Sequence, residues 1–375
     1  MTGEDAAADA SEIPAGAPPV TVRETAWEGF PALVLENGLI SVTVVPSMGG
    51  HVASLIDVAA DRELLWRNPR LTPRLAPYGA WFDDWWSGGW DEIFPGGELS
   101  TLHGEKLPYM GEMWCLPWAA STDTTPDGAE AAITTTVQGN VAPARFTRRL
   151  ALRGGQAILG ASYRIENIDV RPLPFTWGVH AAFEVGAAHR IDLPPNGGME
   201  VGVASDPLMG SVGERYAWPS LPIGTGGAEA ASEEPMPVPR PGDPSRFAPD
   251  GVHDMSRVLP REAGVFGGHW ATELADGWLA LTDTAARRGV AIVFDREVFP
   301  NAWLWQVYGG WRGQQALALE PWTSRPQELQ GAMQAGRARV LEPGEQLETW
   351  VAFVLHEGLD RVAGVDRQPT GLIVR

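Results

Sequence analysis

Short runs rich in Val, Ile, Leu, Thr and aromatic residues recur through this chain, each closed by Gly, Pro, Asn or Asp, and this pattern constrains the fold most. The first two runs, 32–35 and 39–45, flank Glu36-Asn37-Gly38, and Asn-Gly is the strongest short hairpin signal. Pro46 to Gly50 breaks the second run, 52–58 resumes it, and residues 59–62 turn into 63–66. Similar runs follow at 131–137, 144–152, 156–167, 173–179 and 189–193, and again at 278–283, 289–295, 302–308, 315–320 and 347–354. Helical periodicity is weak everywhere, and 325–335 is the best candidate for a short helix. With 44 glycines and 32 prolines in 375 residues, the chain suits many turns rather than long helices. Many short alternating strands at this length imply an all-β fold, a large sandwich or barrel.

The charge balance narrows the partners. Lys and Arg number 28 against 47 Asp and Glu, a net charge of −19. Phosphate backbones and anionic membranes attract cationic surfaces, so neither nucleic acid nor a membrane is expected as a partner. The only cysteine, Cys115, excludes an intrachain disulfide and a Cys-based metal site. The start, MTGEDAAADASEIPAGAPP, lacks a basic region and an apolar run, so it does not read as a signal peptide. No stretch of about 18 apolar residues exists, and a cytoplasmic location is the default expectation. Residues 1–19 read as a disordered leader, 20–375 as one domain, and the Pro/Gly-rich stretch 219–260 as an insertion within it.

Residues 67–118 are irregular, and within them 81–98 read WFDDWWSGGWDEIFPGGE, with four tryptophans, five carboxylates and four glycines. A loop this long with such large side chains is usually functional. Sugars present C–H faces that stack on aromatic rings and hydroxyls that want carboxylates, amides and histidines. Trp81, Trp85, Trp86 and Trp90, with Asp83, Asp84, Asp91 and Glu92, have that mixture, and Trp303, Trp305, Tyr308, Trp311 and Trp322 form a second aromatic group near Glu320. The plainer reading is core packing, since 17 tryptophans cannot all line a site. The clustered acids match no calcium loop, the histidines show no ligand spacing, and no phosphate loop or dinucleotide fingerprint is present, so neither metal nor cofactor is expected.

Four segments, in order, resemble the galactose mutarotase-like (aldose 1-epimerase) superfamily. They are LENGLISVTVVPSMGGHVASLID with its Pro-x-x-Gly-Gly turn, LHGEKLPYMGEMW with a His-Gly pair, ENIDVRPLPFTWGVHAAF with His-x-x-Phe, and LALEPWTSRPQEL with Glu-Pro, followed by a closing hairpin LEPGEQLETWVAFVL. The resemblance implies a large antiparallel β-supersandwich with a sugar cleft. It also implies catalytic roles: Glu320 as general base, His180 as general acid and His103 as a hydrogen-bond donor to the ring. Interconverting anomers requires removing a proton from the C1 hydroxyl while protonating the ring oxygen, which a carboxylate and a histidine can do. Expected substrate contacts are Trp86, Trp90, Asp91, Glu92, Trp177, Trp305 and Trp322.

Each catalytic residue has a plainer reading. His180 could be a satisfied strand histidine, Glu320 a strand-end acid released to water by Pro321, and His103 a turn residue before Gly104. Glu105 and Glu112 read as solvated. The chain departs from the family pattern in having no basic residue between Arg74 and Lys106, where a sugar-contacting arginine is expected, and this argues against a phosphorylated sugar. The expected activity is a cofactor-independent aldose 1-epimerase-like isomerisation of an unphosphorylated sugar or derivative, by a monomer or homodimer. A lyase or other carbohydrate-modifying enzyme on the same fold, and a non-catalytic carbohydrate-binding protein, are the alternatives.

Overall fold

The Asn37-Gly38 hairpin forms where its sequence places it, between strands Phe30–Glu36 and Ile40–Val45. The structure is a computed structural model that describes residues 18–223, 246–368 and 371–375. Residues 1–17 of the expected leader, and 224–245 of the expected insertion, lie outside the described residues. Asn37 is fully buried and does more than turn the chain. Its Oδ1 accepts from the amides of Leu39 and Ile40, while Nδ2 donates to the carbonyls of Arg153 and Gln156, tying the hairpin to a turn in a second sheet. Gly38, at φ 81°, supplies the left-handed backbone this turn demands.

Two antiparallel sheets carry the fold. The first has twelve strands, and its main path runs Thr21–Trp27, Phe30–Glu36, Ile40–Val45, His51–Asp57, Trp90–Ile93, Gly178–Phe183, Gln315–Trp322, Asn301–Tyr308, Val265–Thr272, Gly198–Ala204 and Arg215–Tyr216. The second has eight: His189–Asp192, Trp278–Asp283, Arg288–Phe294, Gln346–Glu357, Ile158–Asn167, Ala144–Arg153, Glu130–Gln138 and Ala119–Thr124. Alternation explains the strands that the sequence reveals. In Ala144–Arg153 every second residue from Ala144 to Leu152 is buried, as period-two side-chain geometry requires. These residues meet the inner face of the first sheet in one shared core, where Trp90 and Phe183 pack on Phe353 at 4.6 and 6.5 Å. Each fully buried large apolar side chain there contributes about 1.5–3 kcal/mol.

Several strands lack any alternation and differ from the sequence expectation. Trp90–Ile93 is buried at all four positions, and Gly178–Phe183 at all six, because the first sheet is covered on both faces. Val265–Thr272, VFGGHWAT, lies outside the expected runs yet is a strand. A Cβ on Gly268 would lie 2.0 Å from the Trp303 ring, so glycine lets that ring rest on the strand. The expected run 173–179 is split: Leu173–Phe175 pairs with Arg339–Leu341, and Gly178–Phe183 enters the first sheet. The expected short helix forms at Leu329–Gln334, with the Glu328 carboxylate accepting from the amides of Gln330 and Gly331. At the base of the expected insertion, Ser220–Pro222 pairs with Val252–Asp254. No helix among the described residues is long and apolar enough to cross a membrane.

Candidate active site

Four titratable side chains stand in a row across four neighbouring strands of the first sheet. His51 opens strand His51–Asp57, Asp91 and His180 are cross-strand partners, and the register pairing Ala181 with Leu319 and Gly178 with Trp322 sets His180 opposite Glu320. All four are buried, at 2–4% exposure. The His51 Nδ1–H donates to Asp91 Oδ1 at 2.9 Å. His180 Nε2 stands 3.7 Å from Glu320 Oε1, too far for a direct hydrogen bond and near enough to share one reacting group. Glycines bring the backbones together here. Gly89, at φ 78°, abuts His51 and the Val52 carbonyl, where a Cβ would sit 2.5 Å from that oxygen.

Tryptophans build the walls. Trp322 lies against Gly178, where a Cβ would come within 2.2 Å of its ring, and its Nε1–H donates to Glu320 Oε2 at 3.0 Å. Trp86 and Phe82 meet the His180 ring edge-on at 4.8 and 5.5 Å. They come from the irregular segment of the sequence, which folds over the outer face of the sheet and joins Trp114, Trp270, Trp303 and Trp311 in one aromatic cluster. The segment's short helix, Phe82–Trp85, is held from outside. Arg312 donates to Asp84 Oδ1 at 2.6 Å and to the Asp83 carbonyl at 2.7 Å, and the Arg74 guanidinium stacks over Trp85 at 3.9 Å.

Burial decides where the protons rest. Desolvation raises Glu320 to about 8, opposed by the Trp322 hydrogen bond, and lowers His180 to about 4, opposed by the Asp91 charge. At neutral pH the pair therefore holds one proton, on Glu320. The resemblance implies the reverse resting arrangement, a carboxylate facing an imidazolium, but separated charges are disfavoured in an apolar pocket. Asp83 is also raised by burial, to about 6, with Arg312 opposing. Tyr109, stacked on Trp81 at 4.2 Å, feels the charges of Asp83, Glu98 and Glu320, and these push its proton affinity further in the direction set by burial.

The expected site residues divide by strand face. His180, Glu320, Asp91, Trp86 and Trp322 come together, and Trp305 lies on the same outer face against Phe266 at 5.4 Å. Trp90, Glu92 and Trp177 do not reach this site: they point inward, between the sheets. Glu92 is fully buried there and accepts from Trp90 Nε1, Trp177 Nε1, the Tyr163 hydroxyl and Arg148 Nη1 at 2.9–3.1 Å. It balances Arg148, itself fully buried between the Trp90 and Trp118 rings. His103 is exposed at φ 52°, with Gly104 at 91°, in the two-residue turn joining Ser100–Leu102 to Glu105–Leu107. That is a hairpin turn with both residues left-handed, so its structural task is the turn. Glu112, read as solvated, is fully buried and accepts from the amides of residues 140–142 and from the Tyr78 hydroxyl.

Sequence reasoning missed His51 and Tyr109. The available signal for His51 was its position directly after the Pro-x-x-Gly-Gly turn; the structure sets it beside Asp91. A small cavity of about 30 Å³ opens beside these two residues, lined also by Ser47, Trp86, Ser87 and Trp114. The Trp86 Nε1–H and the Ser47 hydroxyl at its walls are buried without partners among the described residues. A single hydroxyl group there could donate to Asp91 and accept from Trp86.

No protein-family model matches the chain, and no curated protein matches it significantly in sequence. Solved structures do match. A protein from Synechocystis sp. PCC 6803 aligns with 91% of this chain and 97% of its own, at 17% identity and a TM-score of 0.57. A candidate aldose 1-epimerase from Klebsiella pneumoniae aligns with 90% of this chain and 83% of its own, at 15% identity and a TM-score of 0.66. A galactose mutarotase-like protein from Clostridium acetobutylicum aligns with 90% of this chain and 99% of its own, at 14% identity and a TM-score of 0.57. With two large antiparallel sheets, and superposing on these structures over nine-tenths of its length, the chain has the galactose mutarotase-like β-supersandwich fold.

Proposed function

We propose that this protein is an aldose 1-epimerase-like isomerase, cofactor-independent, that interconverts the anomers of an unphosphorylated sugar or sugar derivative. The observation that carries this reading is the His180–Glu320 pair: two buried titratable groups 3.7 Å apart, shifted in opposite directions, inside aromatic walls. The anomeric hydroxyl and the ring oxygen share one carbon, so two groups this close can serve both. Neutral His180 accepts the proton of the C1 hydroxyl as protonated Glu320 gives its proton to the ring oxygen. The C1–O5 bond breaks and the C1 carbonyl forms, leaving imidazolium beside carboxylate. Asp91 steadies the imidazolium, and the Trp322 indole N–H steadies the carboxylate. Rotation about C1–C2 and closure on the other face return both protons.

Outside the pair, Asp91 and Trp86 orient a hydroxyl in the adjoining cavity, and the tryptophans take the sugar's C–H face. The test is anomer-exchange NMR or polarimetry on a panel of unphosphorylated hexoses with wild type, Glu320→Gln and His180→Asn. Each variant is expected to lose roughly 10²–10⁴ of the rate. If the wild type accelerates no sugar in the panel, the isomerase reading fails, and retained binding then identifies a carbohydrate-binding protein.

A further inference from the structure

The largest cavity among those described lies away from Glu320. It has a volume of about 820 Å³ and sits where strands Gly198–Ala204 and Val265–Thr272 meet the 193–197 turn and the 361–363 segment. That volume falls within the range of sites that hold whole small molecules. Glu200 on its wall is the cross-strand partner of Trp270, whose ring in turn meets that of Trp322 at 6.2 Å. Trp270 and Trp322 thus stand between Glu200 and Glu320 in one line of neighbours.

Its charge is opposite to that of the protein. The chain carries −19 overall, yet three arginines, Arg215, Arg325 and Arg361, line this pocket against a single glutamate, Glu200. Glu200 does not exhaust their donors. Arg325 reaches both carboxylate oxygens through one nitrogen, Nη2, at 2.8 Å, and Arg215 reaches Oε2 through Nε at 3.1 Å. Arg361 has only a 3.9 Å approach to Asp192, a carboxylate already engaged by Arg190 at 2.8 Å. Among the described residues, Nη1 of Arg325, both Nη atoms of Arg215 and the whole Arg361 fork face no hydrogen-bond acceptor. Guanidinium forks with spare N–H donors match the oxygens of a carboxylate or phosphate. Trp218 and Asn196, also on the wall, offer a ring face and an amide to the body of such a molecule.

We propose that this pocket is a second ligand site, for a small oxyanion-bearing molecule of about sugar size, carboxylate or phosphate, and distinct from the site of the neutral sugar. It stands whether or not the His180–Glu320 pair is catalytic. The test is calorimetric titration of the full chain at low ionic strength with inorganic phosphate, glucuronate, glucose 6-phosphate and, as a neutral control, glucose. Wild type is compared with Arg361→Ala, Arg215→Ala and the double variant. Arg215 and Arg361 side chains are 74% and 71% exposed, so the fold tolerates their loss. The expected result is binding of the anionic probes, weakened at least about tenfold in the double variant and by added salt, with the response to glucose unchanged. Tighter binding of glucose 6-phosphate than of phosphate identifies a sugar-borne anion, and equal binding a free oxyanion. The proposal is overturned if no anionic probe binds, or if the double variant binds them as wild type does.

Discussion

His180 and Glu320 face each other across neighbouring strands at 3.7 Å, and among the described residues no arginine or lysine pairs with either. An arginine beside Glu320 would hold it ionised. Without one, burial keeps it protonated and keeps His180 neutral. The pair is thus a one-proton unit over a wide pH range, and its behaviour can be measured.

Stability should respond to pH through both members, with opposite signs. Glu320 has a folded value of about 8 against an ordinary 4.5. Its contribution is full below pH 4.5 and is lost as pH climbs to 8, because the unfolded chain releases the proton first. His180 has a folded value of about 4 against an ordinary 6.5, so its contribution is full above 6.5 and is lost as pH falls to 4. Glu320→Gln should abolish the alkaline loss, gaining on wild type by up to ~1.4 kcal/mol per pH unit across that window. Chemical denaturation at a series of pH values checks this, and a difference that does not change with pH rules it out.

The rate of anomer exchange should be broad in pH, with limbs near 4 and 8, where the pair gains a second proton or loses its only one. Asp91→Asn should move the acid limb lower, since the Asp91 charge is what favours protonated His180. Titration of the His180 ring proton by NMR gives the same reading without any substrate. An unshifted or raised value would show that Asp91 acts only through its bond to His51.

How much of this was legible in the sequence depends on the faces of each strand. Runs with one wet or half-wet face, such as 144–152, alternate and declare themselves. Trp90–Ile93 is covered on both sides, so WDEI shows no alternation, and a strand assignment was not available. That one omission misplaced two residues, Trp90 and Glu92. In a strand, neighbours point to opposite faces, so Asp91 and Glu92 could never share a cleft, and Trp90 had to follow Glu92 inward. VFGGHWAT went unassigned for a related reason: the ring that fills the space at its glycines, Trp303, comes from 35 residues further along the chain. Glu320 and His180 were found through flanking motifs, but their opposition in register is a property of strand order alone.

Glu92 should behave as a structural acid. Its four donors surround it in the core, and Arg148 depends on it for charge balance. Glu92→Ala should cost about 3–5 kcal/mol by leaving a buried guanidinium unpaired. Exchange rate per folded molecule should stay near wild type. Denaturant midpoints and rates measured on the same preparations separate the two effects, and a rate loss without a stability loss would return Glu92 to the sugar site.

Substrate can reach a pair this buried only if the Phe82–Trp86 segment moves, since Trp86 and Phe82 cover His180. Beside the stacking of Arg74 on Trp85 and Tyr109 on Trp81, the polar hold on that segment runs at the surface through Arg312 to Asp84 and to the Asp83 carbonyl. Arg312→Ala should therefore leave global stability within ~0.5 kcal/mol while loosening the cover. The amides of Asp84 and Trp86, bonded to the carbonyls of Trp81 and Phe82, should exchange with solvent faster, and sugar should associate faster. Asp83 supplies a second reading. Burial holds it near 6 and Arg312 pulls it down, so if the helix stays seated its value should rise further, and if the helix lifts into water it should fall toward the ordinary 3.8. A fall, together with faster amide exchange, identifies Arg312 as the clasp of the cover; a rise with unchanged exchange shows that aromatic packing alone keeps it shut.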